Sequence, residues 1–176
     1  MIQQFNNKKP VIGERTFIAE NAALIGDVKV GDDASIWFNT VLRADFSSID
    51  LGYSSNVQDN SVLHVEKGKP MTIGNHTTIG HGAIIHASKI GSNSLVGMGS
   101  ILMNNTEIGD ECIVGAGTVV IADSKIPSGS LIIGIPGKVV RMLDEKDLDH
   151  VKQNVREYLE LKDAYRRFGQ GGPDGT

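Results

Sequence analysis

The chain has 176 residues, a formal net charge of −4, 40% hydrophobic residues and only 5% aromatic ones, which suits a single globular domain. Its 17 lysines and arginines are scattered rather than massed, so no basic surface awaits a phosphate backbone and nucleic acid is excluded as the expected partner. One cysteine, Cys112, rules out an internal disulfide and a cysteine cluster for zinc, and it reads as a small buried hydrophobe.

The first ten residues, Met1 to Pro10, lack the succession of a signal peptide, and no apolar run approaches the roughly 18 residues of a membrane span. No membrane partner and a cytoplasmic location are expected. From residue 18 aliphatic side chains recur every six positions, at Ile18, Leu24, Val30, Ile36 and Leu42. The series resumes after a three-residue slip at Leu51, Val57 and Leu63, and after a four-residue slip at Ile73, Ile79 and Ile85. It then loses one residue and continues as Ile90, Val96, Leu102, Ile108, Val114, Val120, Ile126 and Ile132.

A period of six is neither helical nor alternating. With 21 glycines, many directly after an anchor as in Ile79-Gly80 and Val96-Gly97, it describes short strands separated by turns. Each unit forms one side of a triangular prism, so three units complete a coil of about 18 residues, and successive coils pair at the strand spacing of about 4.8 Å. The fold class expected is therefore all-β, a parallel β-helix over residues 1–142. At Leu143 the pattern changes. Asp144 can cap a helix, and Leu148, Val151, Val155, Tyr158, Leu159 and Tyr165 follow helical spacing, which predicts one C-terminal α-helix over 143–168 packed on the coil. The glycine-rich residues 169–176 read as a disordered tail.

The register shows which polar residues share a wall of the prism. Arg43, His64 and His86 each follow an anchor by one position, after Leu42, Leu63 and Ile85, and form one column. His64 and His86, one coil apart, can reach a single ion at about 2.0–2.1 Å per bond. Asp59 and His81 each follow an anchor by two positions, after Val57 and Ile79, and form a second column on the neighbouring wall. Adjacent walls of a prism point away from each other, so His81 cannot readily join the pair within its own chain. A homotrimer that packs one wall against the next subunit's adjacent wall solves this, with two histidines from one chain and one from its neighbour. The same packing sets Arg43 of one chain near Asp59 of the next as an interfacial ion pair. Three imidazoles with an open fourth position are the pattern of catalytic zinc; iron, cobalt and nickel accept the same donors.

These motifs, Arg43-Ala44-Asp45, Asn56-Val57-Gln58-Asp59, Leu63-His64 and Ile79-Gly80-His81-Gly82-Ala83-Ile84-Ile85-His86, resemble the gamma class of carbonic anhydrases, hexapeptide-repeat trimers whose metal sits between subunits. The resemblance spans about residues 10–168. It implies a left-handed winding and reversible hydration of carbon dioxide to bicarbonate, with metal-bound hydroxide as the nucleophile. It further implies that Gln58 orients the hydroxide, that Asn56 places carbon dioxide or bicarbonate, and that Arg43 and Asp45 hold the interface and steer the anion. Where the family's archetype carries proton-relaying glutamates, this chain has Phe46 and a short loop, Val65 to Met71, with the single acid Glu66. Glu66 or Tyr158 is then the candidate proton shuttle. Two alternatives stand beside this reading. One is a metal-binding trimer with weak or no turnover, which the missing glutamates favour. The other is a hexapeptide-repeat acyltransferase or thioesterase, against which three histidines in register argue, since acyl transfer on this coil needs one.

Overall fold

The computed structural model describes residues 1–169; the expected tail over 170–176 lies outside them, and Gly169 closes the helix instead of opening the tail. The chain winds into a left-handed parallel β-helix of about 7 turns followed by one helix, Glu145–Gly169. Among the described residues no helix is long and apolar enough to cross a membrane.

The period-six aliphatics form the interior. Leu24, Ile36, Leu42, Val57, Leu63, Ile79, Ile85, Val96, Leu102, Val114, Val120 and Ile132 are fully buried, and only the end rungs Ile18 and Ile126 are partly open. Each wall is a stack of parallel strands. The first contains Val41–Ala44, Val62–His64, Ile84–His86, Ile101–Leu102 and Val119–Val120 in register. The slips have one location: the insertions 45–48 and 65–70 and the deletion after Ile85 all fall at the corner between the first and second walls. The first insertion is extended chain, so the strand Val41–Leu51 runs through the corner. The second is a tight turn closed by a bridge between Glu66 and Lys69.

Inside the corners, short polar side chains satisfy carbonyls that the coil would otherwise strand. Ser55, Thr77 and Ser94 donate to the carbonyls of Gly74, Gly91 and Gly109 at 2.7, 2.8 and 3.3 Å. Cys112 occupies the next rung and points its thiol at the Pro127 carbonyl, 3.3 Å away. Burial pushes that thiol up, so it is inert.

The three outer faces differ. On the first wall, Val41, Val62, Ile84, Ile101 and Val119 stack outward as an aliphatic column, with Val62 38% and Ile84 44% exposed. On the second, Lys29, Asp50, Thr72, Lys89, Glu107 and Lys125 stack as an alternating charged ladder suited to water. The third carries the helix. Where the repeat fades, the strand Ser130–Gly134 turns back antiparallel into Gly137–Met142, which delivers the chain to the helix start. Asp144 and Asp147 exchange reciprocal backbone bonds of 2.9 and 3.0 Å there, a capping box built with two aspartates.

The helix docks through Val151 and Val155, both buried, and through an aromatic cluster in which Trp37 meets Tyr158 and Tyr165 edge-on at 5.4 and 5.2 Å. Its most buried long side chain is charged. Lys162 is 2% exposed and donates to Asp33 at 2.9 Å and to the Arg15 carbonyl at 3.1 Å. Arg15, first, and Lys162 hold the Asp33 carboxyl down at about 2 against the opposing effect of burial.

Candidate metal centre

Strand pairing places Arg43, His64 and His86 side by side on the first wall. His64 Nδ1 and His86 Nε2 are 3.1 Å apart. Two nitrogens bonded to one ion at about 2.0–2.1 Å would be separated by that distance at an angle near 100°, so the pair can present both to one metal. The outer nitrogen of His64, Nε2, lies 3.0 Å from Asp45 Oδ1, and Asp45 also pairs with Arg43. Burial alone would raise the Asp45 carboxyl, but the hydrogen bonds from His64 and Arg43 outweigh it and hold it below its ordinary value. A carboxylate on the far nitrogen fixes the tautomer and ring plane of a ligating imidazole. Nδ1 of His86 is buried with no hydrogen-bond partner among the described residues.

His81 is held elsewhere, at the corner between the third and first walls. Its Nδ1 lies 2.9 Å from Asp59 Oδ2, and its Nε2 is 3.3 Å from the Tyr158 hydroxyl. Within one chain, then, Asp59 serves His81 and Arg43 serves Asp45. Among the described residues of a single chain no three His, Cys, Asp or Glu side chains converge to hold an ion. Gly80 and Gly82 frame His81. A Cβ on Gly80 would fall 2.7 Å from the Met98 nitrogen of the next coil, whereas Gly82 has φ +67° and open space around it.

Gln58 and Asn56 lie on the third wall, both buried. The His81 backbone N–H donates to Gln58 Oε1 at 3.2 Å, and Gln58 Nε2 donates to Asn56 Oδ1 at 3.2 Å. Asn56 Nδ2 donates to Thr78 Oγ1 at 2.8 Å, and that hydroxyl donates to Asn154 Oδ1 of the helix at 2.8 Å. Thr78 and Asn154 were not among the residues expected from sequence. Thr78 could have been found by register, since it stacks on Asn56; Asn154 could have been found as the residue one helical turn before Tyr158. A cleft of about 380 Å³ opens beside this row, between the helix and the bare part of the third wall, lined by Gln58, Leu95, Met98, Ile113, His150 and Asn154 among others.

The two candidate shuttles are both restrained. Glu66 pairs with Lys69 at 2.7 Å and accepts from Asn104 at 3.2 Å, and the Lys69 hydrogen bond is the main cause holding its carboxyl below the usual range. Desolvation first, then the negative charges of Asp59 and Glu157, push the Tyr158 phenol up to about 12. Phe46 is 60% exposed and sets its ring 5.9 Å from that of His64.

The coil and its row of outward histidines define a hexapeptide-repeat protein. Residues 9–44 and 87–122 match the family described as bacterial transferase hexapeptide, and residues 70–103 match the hexapeptide repeat of succinyl-transferase. The chain is 41% identical to the carbonic anhydrase of Geobacillus kaustophilus over 97% of its own length and 93% of that protein. It is 36% identical to gamma carbonic anhydrase 2, mitochondrial, of Arabidopsis thaliana over 88% of its own length and 58% of that longer protein. A crystal structure of a hexapeptide transferase family protein from Anaplasma phagocytophilum superposes with a TM-score of 0.90 at 36% identity, over 94% of this chain and 98% of that one. The chain belongs to the gamma carbonic anhydrase family.

Proposed function

We propose that this protein interconverts carbon dioxide and bicarbonate at metal sites shared between the subunits of a homotrimer. The observation that carries the reading is the divided histidine set, in which His64 and His86 pair at 3.1 Å on one wall and His81 stands apart at the corner after the third wall, with Asp45 behind His64 and Asp59 behind His81. Three imidazoles fit zinc, with iron, cobalt or nickel as the other ions such donors accept. A bound ion of this class lowers the pKa of a water from about 15.7 to about 7 and so supplies hydroxide at neutral pH. The trimer is supported by the aliphatic column of Val62 and Ile84 beside the histidine pair, since exposed apolar faces of this kind mark interaction surfaces. The fold itself is typically trimeric.

The chain's own groups divide the remaining work. Asp45 and Asp59 hold the far nitrogens of His64 and His81, so Nδ1 of His64 and Nε2 of His81 are the atoms that would bind an ion, the latter in place of its contact with the Tyr158 hydroxyl. Gln58, with its carbonyl occupied by the His81 N–H, has a free Nε2–H to offer an oxygen of bicarbonate or hydroxide. Asn56 holds Gln58 in place and borders the substrate. Arg43, charged and about half exposed on the first wall beside His64, attracts the anion. Neither shuttle candidate suits proton transfer at neutral pH. Tyr158, pushed up to about 12, stays protonated, and the Glu66 carboxylate is engaged by Lys69 and Asn104. Solvent buffer is then the proton acceptor, and turnover is limited by that step.

The test is stopped-flow hydration of carbon dioxide by protein loaded with zinc, and anaerobically with iron. The reading expects activity that disappears on chelation and in His81→Ala. A monomer without metal would sink it. Phe46 and the restrained Glu66 favour one rival, a trimer that binds metal without turnover, and it is recognised by full metal content with negligible hydration.

A further inference from the structure

We propose that Asn154, on the C-terminal helix, is a positioning residue that closes the hydrogen-bonded row holding the Asn56 and Gln58 amides still, the His81 N–H fixing the other end of that row; this deepens the carbon dioxide reading above and rests on it for the role of Gln58. The four hydrogen bonds from His81 to the helix share one polarity. Asn154 Oδ1 takes the single proton of Thr78 at 2.8 Å, which leaves only lone pairs on that hydroxyl for Asn56. Asn56 must then point its NH2 at Thr78 and its carbonyl at Gln58. Gln58 in turn points its NH2 at Asn56 and its carbonyl at the His81 N–H, at 3.2 Å each. The hydroxyl is the switch in this row, because a threonine can donate or accept while each amide end has one role.

Without an acceptor at 154, the Thr78 proton is free to turn back onto Asn56 Oδ1. The Asn56 amide can then reverse, and Gln58, still held through its carbonyl by the His81 N–H, loses the acceptor for its NH2 and loosens. Thr78, Asn56 and Gln58 are 2%, 1% and 5% exposed, so water does not readily replace a lost partner. The helix thereby reaches the site by orientation, without touching substrate.

Two substitution pairs separate acceptor polarity from mere helix docking. Asn154→Ala and Thr78→Val remove the acceptor and the rotor, whereas Asn154→Asp and Thr78→Ser retain them. The first readout is solvent exchange of the side-chain amide protons of Asn56 and Gln58 by NMR on the metal-loaded trimer. Exchange should be slow in the wild type, Asn154→Asp and Thr78→Ser, and roughly three- to tenfold faster in Asn154→Ala and Thr78→Val. The second is hydration kinetics, where the deleting variants should lose roughly three- to tenfold in kcat with KM little changed, the range of one neutral hydrogen bond. Unchanged amide exchange in Asn154→Ala overturns the proposal, as does equal loosening in Asn154→Asp. If Thr78→Val does not fold, the half-buried Asn154 pair still decides. If the wild type hydrates no carbon dioxide yet the amides respond as expected, the polarity relay stands and the catalytic reading of Gln58 falls.

Discussion

Replacing Lys162 by methionine removes one ammonium while keeping the length of a side chain that is 2% exposed. Its nitrogen bonds Asp33 at 2.9 Å, Asp163 at 2.9 Å and the Arg15 carbonyl at 3.1 Å. A charge stranded by losing a buried partner costs about 3–5 kcal/mol. Asp33 is not stranded, because Arg15 remains 2.7 Å away and its side chain is 28% exposed. The cost should therefore be that of a charged hydrogen bond, about 1.5–3 kcal/mol, which for a chain of this size lowers Tm by roughly 3–12 °C. Lys162→Ala, which also loses buried methylenes at about 0.8 kcal/mol each, should cost about 2 kcal/mol more. The pH dependence has a definite sign. Asp33 is depressed to about 2, chiefly by Arg15, so its ion pairs contribute stability above the ordinary carboxylate pKa and lose it as pH falls toward 2. The gap between wild type and Lys162→Met should be level from about pH 5 to 8 and narrow below about pH 4. Calorimetry and circular dichroism at matched protein concentration would measure both. A Lys162→Met protein within about 0.5 kcal/mol of wild type at neutral pH would refute the view that this lysine fastens the helix.

Complementation tests the divided site: neither His81→Ala nor the double variant His64→Ala, His86→Ala should hold metal tightly, but refolding the two together should restore about one site in four, as random mixing in a closed trimer requires. Metal analysis of the mixture reads this directly, and no recovery would argue that each chain builds its own centre. Gly80→Ala drives a Cβ into the backbone nitrogen of Met98 at 2.7 Å and should destabilise by about 1–3 kcal/mol. Gly82→Asn, in open space at φ +67°, should cost under about 1 kcal/mol; thermal melts of the two compare them. Added imidazole buffer should raise steady-state hydration by zinc-loaded protein, and Phe46→Glu, beside His64, should raise turnover measured without buffer. Buffer-independent turnover in the wild type would show that an internal relay exists.

The coil was legible because its cause is local and repeated. Every sixth side chain faces inward, and the slips in that count mark the corner where the chain bulges, beside His64 and His86. The same register put those two histidines in one column and His81 in another. Lys162 escaped sequence reading for a physical reason: hydropathy assigns lysine to the surface, and only the pairing of its nitrogen with Asp33 and a carbonyl makes the buried position favourable. Asp59 shows a different limit. Register fixed its wall, but its partner within the chain, His81 at 2.9 Å, depends on side-chain reach around a corner, which a count of residues does not contain.

By itself, then, the sequence determined the coil, the identity of its inward rungs, the presence of a C-terminal helix and the division of three histidines between two walls, because a fixed repeat converts residue number into position. The tertiary structure decided what meets what across elements. It seated Tyr158 3.3 Å from His81, joined Asn154 through Thr78 to Asn56 and Gln58, and set Asp45 behind His64. Those contacts join segments 19 to 77 residues apart, and they exist only once the helix has docked and the coils have stacked.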